Sequence, residues 1–268
     1  MKNSSNILVI SNGLLGSNIA HHLNCDLISH KKVFSESLEK YDFVINTSFD
    51  EKMLTAELNR EAFDFKLIDK LADTNSKYVF FSTRKVYGRY GGESFKENSI
   101  CAPICFYGRN KLMLEKYIQH RLTNRNYLIL RLPNIYDPES LNKRNSFLGT
   151  FGFNLIHENE VRLNCSLKTY KDFLSVKNFL VLFDQIYHKT DLNGKILNIS
   201  IGEKISLSTV VKMAEHYFTD LKIIYDEATD DSFLLSNCLL SEYANISWCV
   251  SNKIELDNHF KLISKQKI

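Results

Sequence analysis

The sequence predicts a doubly wound α/β fold around a parallel sheet, on three observations. Short apolar runs alternate with longer stretches of helical periodicity. The first run leads directly into a glycine-punctuated turn and a helix. No internal repeat or low-complexity linker divides the 268 residues, a length that suits one large domain or two interlocked ones, since domains run to about 100–200 residues. Hydrophobic residues at 44% and charged residues at 24% are the ordinary globular mix, which argues against disorder and fibrous architectures. Lys and Arg number 34 against 31 Asp and Glu, a net +3 without a long basic block, so nucleic acid is not the indicated partner. No run of roughly 18 apolar residues marks a membrane span, and the opening MKNSSNILVISNG reads as a first strand, not as a leader. The expectation is a cytoplasmic protein.

Asn6–Ile10, Asp42–Ser48, Lys77–Thr83 and Asn126–Leu132 read as buried strands, with Asp26–Ser29 as a short second strand. Gly16–Leu23, Met53–Thr74 and Tyr107–Arg121 read as helices between them. That alternation implies parallel crossovers. Asp42 follows Ser29 closely, so the wind is trimmed there. After Pro138 the order loosens: a polar stretch Glu139–Ser146, a helix near Phe147–Glu158, a return to the sheet near Asn198–Ser200, and a helix Leu207–Phe218. The expected division is residues 1–138 as a dinucleotide-binding domain, with return segments near 172–200, and 139–268 mainly as a smaller, interwoven substrate lobe.

Glycine is scarce, at 10 residues, against about 7% in average usage, so each one is informative. In Ser11-Asn12-Gly13-Leu14-Leu15-Gly16, the two glycines stand where a strand turns into a helix. There the backbone N–H groups of Gly13, Leu14, Leu15 and Gly16 meet a pyrophosphate at the positive helix end. Ile10 holds the first position of the three-glycine pattern. The second strand ends in His30-Lys31-Lys32 with no carboxylate for ribose hydroxyls. Two cations there pair with a 2′-phosphate, which favours NADP(H) and leaves NAD(H) possible.

Tyr107 and Lys111 lie four residues apart, on one face of a helix. A phenol, with an ordinary pKa of about 10, works as a neutral-pH acid–base group when a cation stabilises phenolate, the role this spacing offers Lys111. The six cysteines are scattered, and only Cys101 and Cys105 are close. Without a second Cys/His pair nearby they do not form a metal site; reduced thiols are expected.

Further segments carry a resemblance. Ser82-Thr83-Arg84-Lys85-Val86-Tyr87-Gly88 resembles the SSxxVYG strand end of the extended short-chain dehydrogenase/reductases, the group of nucleotide-sugar epimerases, dehydratases and ketoreductases. Arg131-Leu132-Pro133-Asn134-Ile135-Tyr136-Asp137-Pro138 is similar to that group's R-x-x-N-x-Y-G-P segment, and Lys171-Asp172-Phe173-Leu174-Ser175-Val176 to its R-D-F-x-x-V segment. Asn46-Thr47-Ser48 resembles the N-A-A that lines the cofactor, and Asn198-Ile199 with Ser206–Met213 a late helix segment. The resemblance covers nearly the whole chain in order. It implies a Rossmann-type fold and a catalytic trio of Thr83, Tyr107 and Lys111, with Lys111 also on the cofactor ribose. It further implies that Ser82, Thr83, Asn134 and Lys171 face the substrate; Arg162, Lys168 and Tyr170 are secondary candidates for phosphate or base contacts. Lys171 replaces an arginine, Asp137 a glycine, and Lys177 stands where an aspartate is usual.

The expected function is an NADPH-dependent reductase of a nucleotide-linked keto sugar, favouring C4 of a 4-keto-6-deoxyhexose, for surface polysaccharide sugars. A homodimer is implied by the same resemblance. The alternatives are an NAD-dependent nucleotide-sugar 4-epimerase and a non-catalytic cofactor-binding member. Dehydration is disfavoured because Arg84-Lys85 follow Thr83, where dehydratases carry an acid pair.

Overall fold

The inner strands of the central sheet are runs of four to seven residues that are almost wholly apolar and buried, which is how strands covered on both faces read. The computed structural model describes residues 5–11, 13–88, 94–123, 126–137, 146–229 and 231–266. Asn12, Pro138 and residues 139–145 of the expected polar stretch lie outside them. In chain order the first half carries β1 (Ile7–Ile10), α1 (Leu14–Leu23), β2 (Asp26–Ile28), β3 (Phe43–Asn46), α2 (Phe63–Leu71), β4 (Lys77–Thr83), β5 (Ser94–Phe95), α3 (Phe106–Arg121) and β6 (Tyr127–Leu132). The second half carries β7 (Asn134–Tyr136), α4 (Phe147–His157), β8 (Glu160–Cys165), β9 (Tyr170–Ser175), α5 (Val176–Ile186), β10 (Lys195–Asn198), β11 (Lys204–Ser206), α6 (Leu207–Tyr217), β12 (Lys222–Thr229), β13 (Leu234–Leu235) and α7 (Asn252–Ser264).

The chain divides into two units, residues 1–88 with 97–132 and 183–198, and residues 89–96 with 133–182 and 199–268. The first holds a six-stranded sheet in the order β10-β6-β4-β3-β1-β2, parallel at every pairing. This is the Rossmann-like doubly wound sheet the sequence predicts. β1 lies between β2 and β3, so the winding reverses there, and the carboxyl ends of β1 and β3 frame the crevice where such sheets take ligands. Between β2 and β3 only 3₁₀ turns replace a crossover helix, as the short spacing implied. One core of this unit joins Leu8, Ile10, Val44, Phe65, Ile68, Tyr78, Phe80, Leu114 and Ile118.

One element departs from the reading. Met53–Thr74 is not a single helix: a 3₁₀ turn at Glu51–Leu54 and an irregular stretch precede α2. The Asn110 side chain, on α3, donates to the carbonyls of Met53 (3.1 Å) and Ala56 (2.7 Å) and accepts from Leu58 N–H at 2.9 Å. A buried amide thus satisfies backbone groups that a helix would have paired internally.

The second unit holds small sheets: β11-β9-β7, β12 with β8, and β13 with β5. Its core packs Leu148, Phe151 and Leu155 of α4 with Phe173, Val210, Phe218, Leu256 and Phe260. Among the described residues no helix is long and apolar enough to cross a membrane.

Candidate functional site

The turn after β1 is built around a close approach. A Cβ at Gly16 would fall 2.2 Å from the Ser11 side chain and 2.3 Å from Thr47 Oγ1, so only glycine lets the start of α1 press against both strand ends. Ser11 Oγ accepts from Gly13 N–H at 2.9 Å, while the nearest atom to a Cβ on Gly13 is 3.9 Å away. The first N–H groups of α1, at Leu14, Leu15 and Gly16, have no partner within the helix, and the space beside Gly13 is open. These residues fit an anionic diphosphate. Gly16→Ala is expected to cost about 1–3 kcal/mol through overpacking, read as a lowered thermal midpoint. An unchanged midpoint would mean that the close approach relaxes freely.

His30 packs edge-on against Phe63 at 5.6 Å, and Lys31 and Lys32 are exposed just beyond β2. At the end of β3, Asn46 is buried: its Oδ1 accepts from Ser48 N–H (2.9 Å) and Ser48 Oγ (2.6 Å), and its Nδ2 lies 3.1 Å from Asp64 Oδ1 and 3.0 Å from the Tyr78 hydroxyl.

The trio assembles at the end of β4 and the first turns of α3. Cys105 caps the helix, with Gly108 N–H 3.5 Å from its sulfur. A Cβ on Gly108 would meet the Lys85 carbonyl oxygen at 2.5 Å, so this glycine lets α3 settle onto the turn that follows Thr83. Tyr107 and Thr83 share a side-chain hydrogen bond, and Thr83 Oγ1 also accepts from Lys85 N–H at 3.3 Å. Lys111, 5% exposed, donates to the Phe81 carbonyl at 2.8 Å. Its ammonium lies 4.5 Å from the Phe80 ring centre and 6.0 Å from that of Tyr107. Phe49 meets Tyr107 edge-on at 5.8 Å, and the exposed Lys85 places a second ammonium 5.8 Å from the same ring.

The electrostatics differ from the expectation for the phenol. Burial, then the Cys105 and Asp64 charges, push Tyr107 up to about 12, against a smaller downward pull from Thr83. Lys111 is itself pulled down by desolvation, which Asp64 and Glu115 oppose.

Ser82 is turned away from the site. Its hydroxyl donates to Glu115, which clasps Arg131 through Nε (3.0 Å) and Nη2 (2.6 Å). Arg131 Nη1 donates to Tyr87 (2.8 Å) and to the Glu97 carbonyl (3.1 Å), and Tyr87 donates to Asn198 at 2.8 Å. Sequence reasoning passed over Asp64, Gly108, Asn110 and Glu115. The signal for two of them was available, since Asn110 and Glu115 fall on the buried stripe of α3 with Lys111, Leu114 and Ile118.

In the second unit, Asn134 on β7 pairs in register with Phe173 on β9, and its Nδ2 is buried with no hydrogen-bond partner among the described residues. Lys171, 4% exposed, is engaged by Asp231, whose carboxylate lies at 2.7 Å and carbonyl at 3.0 Å. Arg162 is exposed beside Glu160 at 3.4 Å, Lys168 is exposed, and Tyr170 lies 4.8 Å below the Lys204 ammonium. All six cysteines are free, and among the described residues no cluster of three His, Cys, Asp or Glu is arranged to hold a metal.

A parallel sheet that reverses its winding at a glycine turn, with a tyrosine and a lysine one helical turn apart beside a strand-end threonine, defines a protein of the extended short-chain dehydrogenase/reductase class. The chain belongs to the NAD dependent epimerase/dehydratase family, whose profile matches residues 6–200. No curated protein sequence matches, but solved structures do. A UDP-glucose 4-epimerase from Thermotoga maritima with UDP-glucose superposes at a TM-score of 0.78 and 17% identity, covering 97% of this chain and 99% of that one. RMD from Pseudomonas aeruginosa complexed with NADPH gives 0.75 and 15%, covering 97% and 100%. A dTDP-glucose 4,6-dehydratase from Bacillus anthracis with NAD gives 0.78 and 16%, covering 98% of each. At these identities the likeness establishes the fold.

Proposed function

We propose that this chain is an NADPH-dependent reductase of a nucleotide-linked keto sugar, with C4 of a 4-keto-6-deoxyhexose as the favoured carbonyl. The observation that carries the reading is the placement of Tyr107 on α3 beside Thr83 at the end of β4, with the Lys111 ammonium 6.0 Å from its ring, and burial holds the phenol up at about 12. A group that keeps its proton at neutral pH suits the step a reductase needs, donation to a developing alkoxide. NADPH supplies the hydride when bound. Tyr107 gives its proton to the new hydroxyl, Thr83 bonds the same oxygen, and Lys111 holds the cofactor ribose and balances charge. Leu14, Leu15 and Gly16 offer N–H groups to the diphosphate, Asn46, Thr47 and Ser48 line the cofactor, and Lys31 and Lys32 take the 2′-phosphate. Asn134, whose Nδ2 has no hydrogen-bond partner among the described residues, and Lys171 contact the sugar nucleotide, which requires Lys171 to exchange its Asp231 partner for phosphate.

Arg84 and the exposed Lys85 stand where a dehydratase needs acids, which supports reduction over elimination. The 4-epimerase is the second reading, supported by the match to the NAD dependent epimerase/dehydratase family. We place the protein in the cytoplasm as a homodimer, supplying sugars for surface polysaccharide.

The test is to denature freshly purified protein, identify any released nucleotide, and titrate unloaded protein with NADPH and NADH. The expected result is an empty protein that prefers NADPH, with Lys31→Glu/Lys32→Glu losing about tenfold or more of that preference, the equivalent of one lost charge contact at roughly 1.4 kcal/mol. Stoichiometric, tightly held NAD would overturn the reductase reading in favour of the epimerase.

A further inference from the structure

The turn that carries Lys31 and Lys32 leaves β2 with no crossover helix to follow it, and side chains of α2 hold it in place. Lys32 N–H donates to the Ser29 carbonyl at 3.0 Å, and the Lys32 carbonyl accepts from Ser35 N–H (3.1 Å) and Ser35 Oγ (2.7 Å). Val33 is buried, while Lys31, Lys32, Phe34 and Ser35 are exposed. A short, exposed turn with so few internal bonds opens easily unless something outside it holds it. On α2, the Phe63 ring meets His30 edge-on at 5.6 Å and Phe34 at 5.7 Å. About two turns further along that helix, the Lys70 ammonium donates to the carbonyls of Glu36 at 2.6 Å and Phe34 at 3.1 Å, with that of Val33 at 3.4 Å. The Glu36 carboxylate is engaged elsewhere, by Lys40 at 3.0 Å, so Lys70 grips the backbone of the turn. An ammonium brings three donors, and bonds from a charged donor are the strong kind.

We propose that Lys70 is a positioning residue for the cofactor's 2′-phosphate: by capping the Phe34 and Glu36 carbonyls it fixes the turn that presents Lys31 and Lys32, and so helps to set the preference for NADPH over NADH. The inference rests on the reading of Lys31 and Lys32 as the groups that take that phosphate. Those two side chains are long and exposed, and they lose freedom when they close on an anion. The loss is smaller when the backbone beneath them is already fixed. NADH has no 2′-phosphate, so its affinity draws nothing from the order of this turn. Lys70 therefore acts on the ratio of the two affinities, through the backbone of the turn.

The experiment titrates NADPH and NADH against the full chain by protein fluorescence, for the wild type, Lys70→Met, Lys70→Arg, Lys31→Glu/Lys32→Glu and the variant carrying Lys70→Met with both of those changes. Trypsin cleavage after Lys31 and Lys32, timed by mass spectrometry without cofactor, reads the turn directly in the proteins that keep both lysines. Lys70→Met is expected to lower NADPH affinity about three- to tenfold, to leave NADH affinity within about twofold, and to speed cleavage at the turn. Lys70→Arg keeps a cation in reach of the carbonyls and should recover most of the loss. Once Lys31 and Lys32 are replaced, Lys70→Met should change the ratio no further. A folded Lys70→Met protein with an unmoved ratio would overturn the proposal whatever its cleavage rate. Equal losses for NADPH and NADH would overturn it too, as the mark of a purely structural role. If Lys31→Glu/Lys32→Glu leaves the ratio unmoved, the reading of those two lysines fails instead. A ratio that still falls in Lys70→Met then upholds Lys70, with another group of the turn as the phosphate's ligand; an unmoved one overturns both.

Discussion

Tyr107→Phe is expected to lower kcat by about 10²–10⁴-fold, the usual worth of a positioned acid–base group, while NADPH affinity stays within a few-fold of the wild type. The substitution removes one hydroxyl and its bond to Thr83. It leaves the ring against Phe49, the ammonium groups of Lys85 and Lys111 beside it, and the glycine turn untouched. Binding and chemistry are therefore separable in this variant. A Tyr107→Phe protein with near-normal turnover would remove the mechanism; one that also failed to bind NADPH would show that the hydroxyl holds the cofactor.

The same hydroxyl carries a pH prediction whose sign separates the two enzymatic readings. With the phenol at about 12, about one molecule in 10⁵ is ionised at pH 7. A reductase needs the protonated form, so its rate should be flat from pH 6 to 9. A reaction that begins by oxidising a sugar hydroxyl needs phenolate, so its rate should rise about tenfold per pH unit across that range. A pH-independent reduction with a steeply pH-dependent reverse reaction is the expected pair of profiles, measured at saturating nucleotide in both directions.

What the sequence made legible follows from which interactions are local. The inner strands of the central sheet are covered on both faces and read as continuous apolar runs, and Tyr107 and Lys111 are spaced by the period of one helix. The break in Met53–Thr74 was hidden because its cause is Asn110, more than fifty residues away. Helix α5 could have been read: Val176, Phe179, Leu182, Phe183 and Ile186 are buried at helical spacing. Helix α7 is harder, because Asn252, Glu255 and His259 share its buried face with Leu256, Phe260 and Ile263, which blurs the apolar stripe. Ser82 shows the limit of motif transfer. The neighbour of a catalytic hydroxyl on a strand points to the opposite face, and here that face holds Glu115.

Glu115→Ala is expected to cost about 3–5 kcal/mol, the penalty for leaving one partner of a buried ion pair unpaired, out of the roughly 5–15 kcal/mol that holds a domain folded. Both side chains are nearly inaccessible, at 3% for Arg131 and 1% for Glu115, so water does not replace the lost carboxylate. Arg131 would keep the Tyr87 hydroxyl and the Glu97 carbonyl, both acceptors without charge, and Ser82 would lose its acceptor. The thermal midpoint should fall on the order of 10 °C. Replacing both partners, Glu115→Leu with Arg131→Met, should restore much of it, because two apolar groups of similar volume remove the desolvation cost along with the attraction. The pair spans α3 and β6, one strand from Thr83, so its loss should also loosen the seat of the trio. Glu115→Ala is then expected to lose turnover before it unfolds, and the double variant to recover stability more fully than activity. Equal recovery of both would mean that the clasp serves the fold alone.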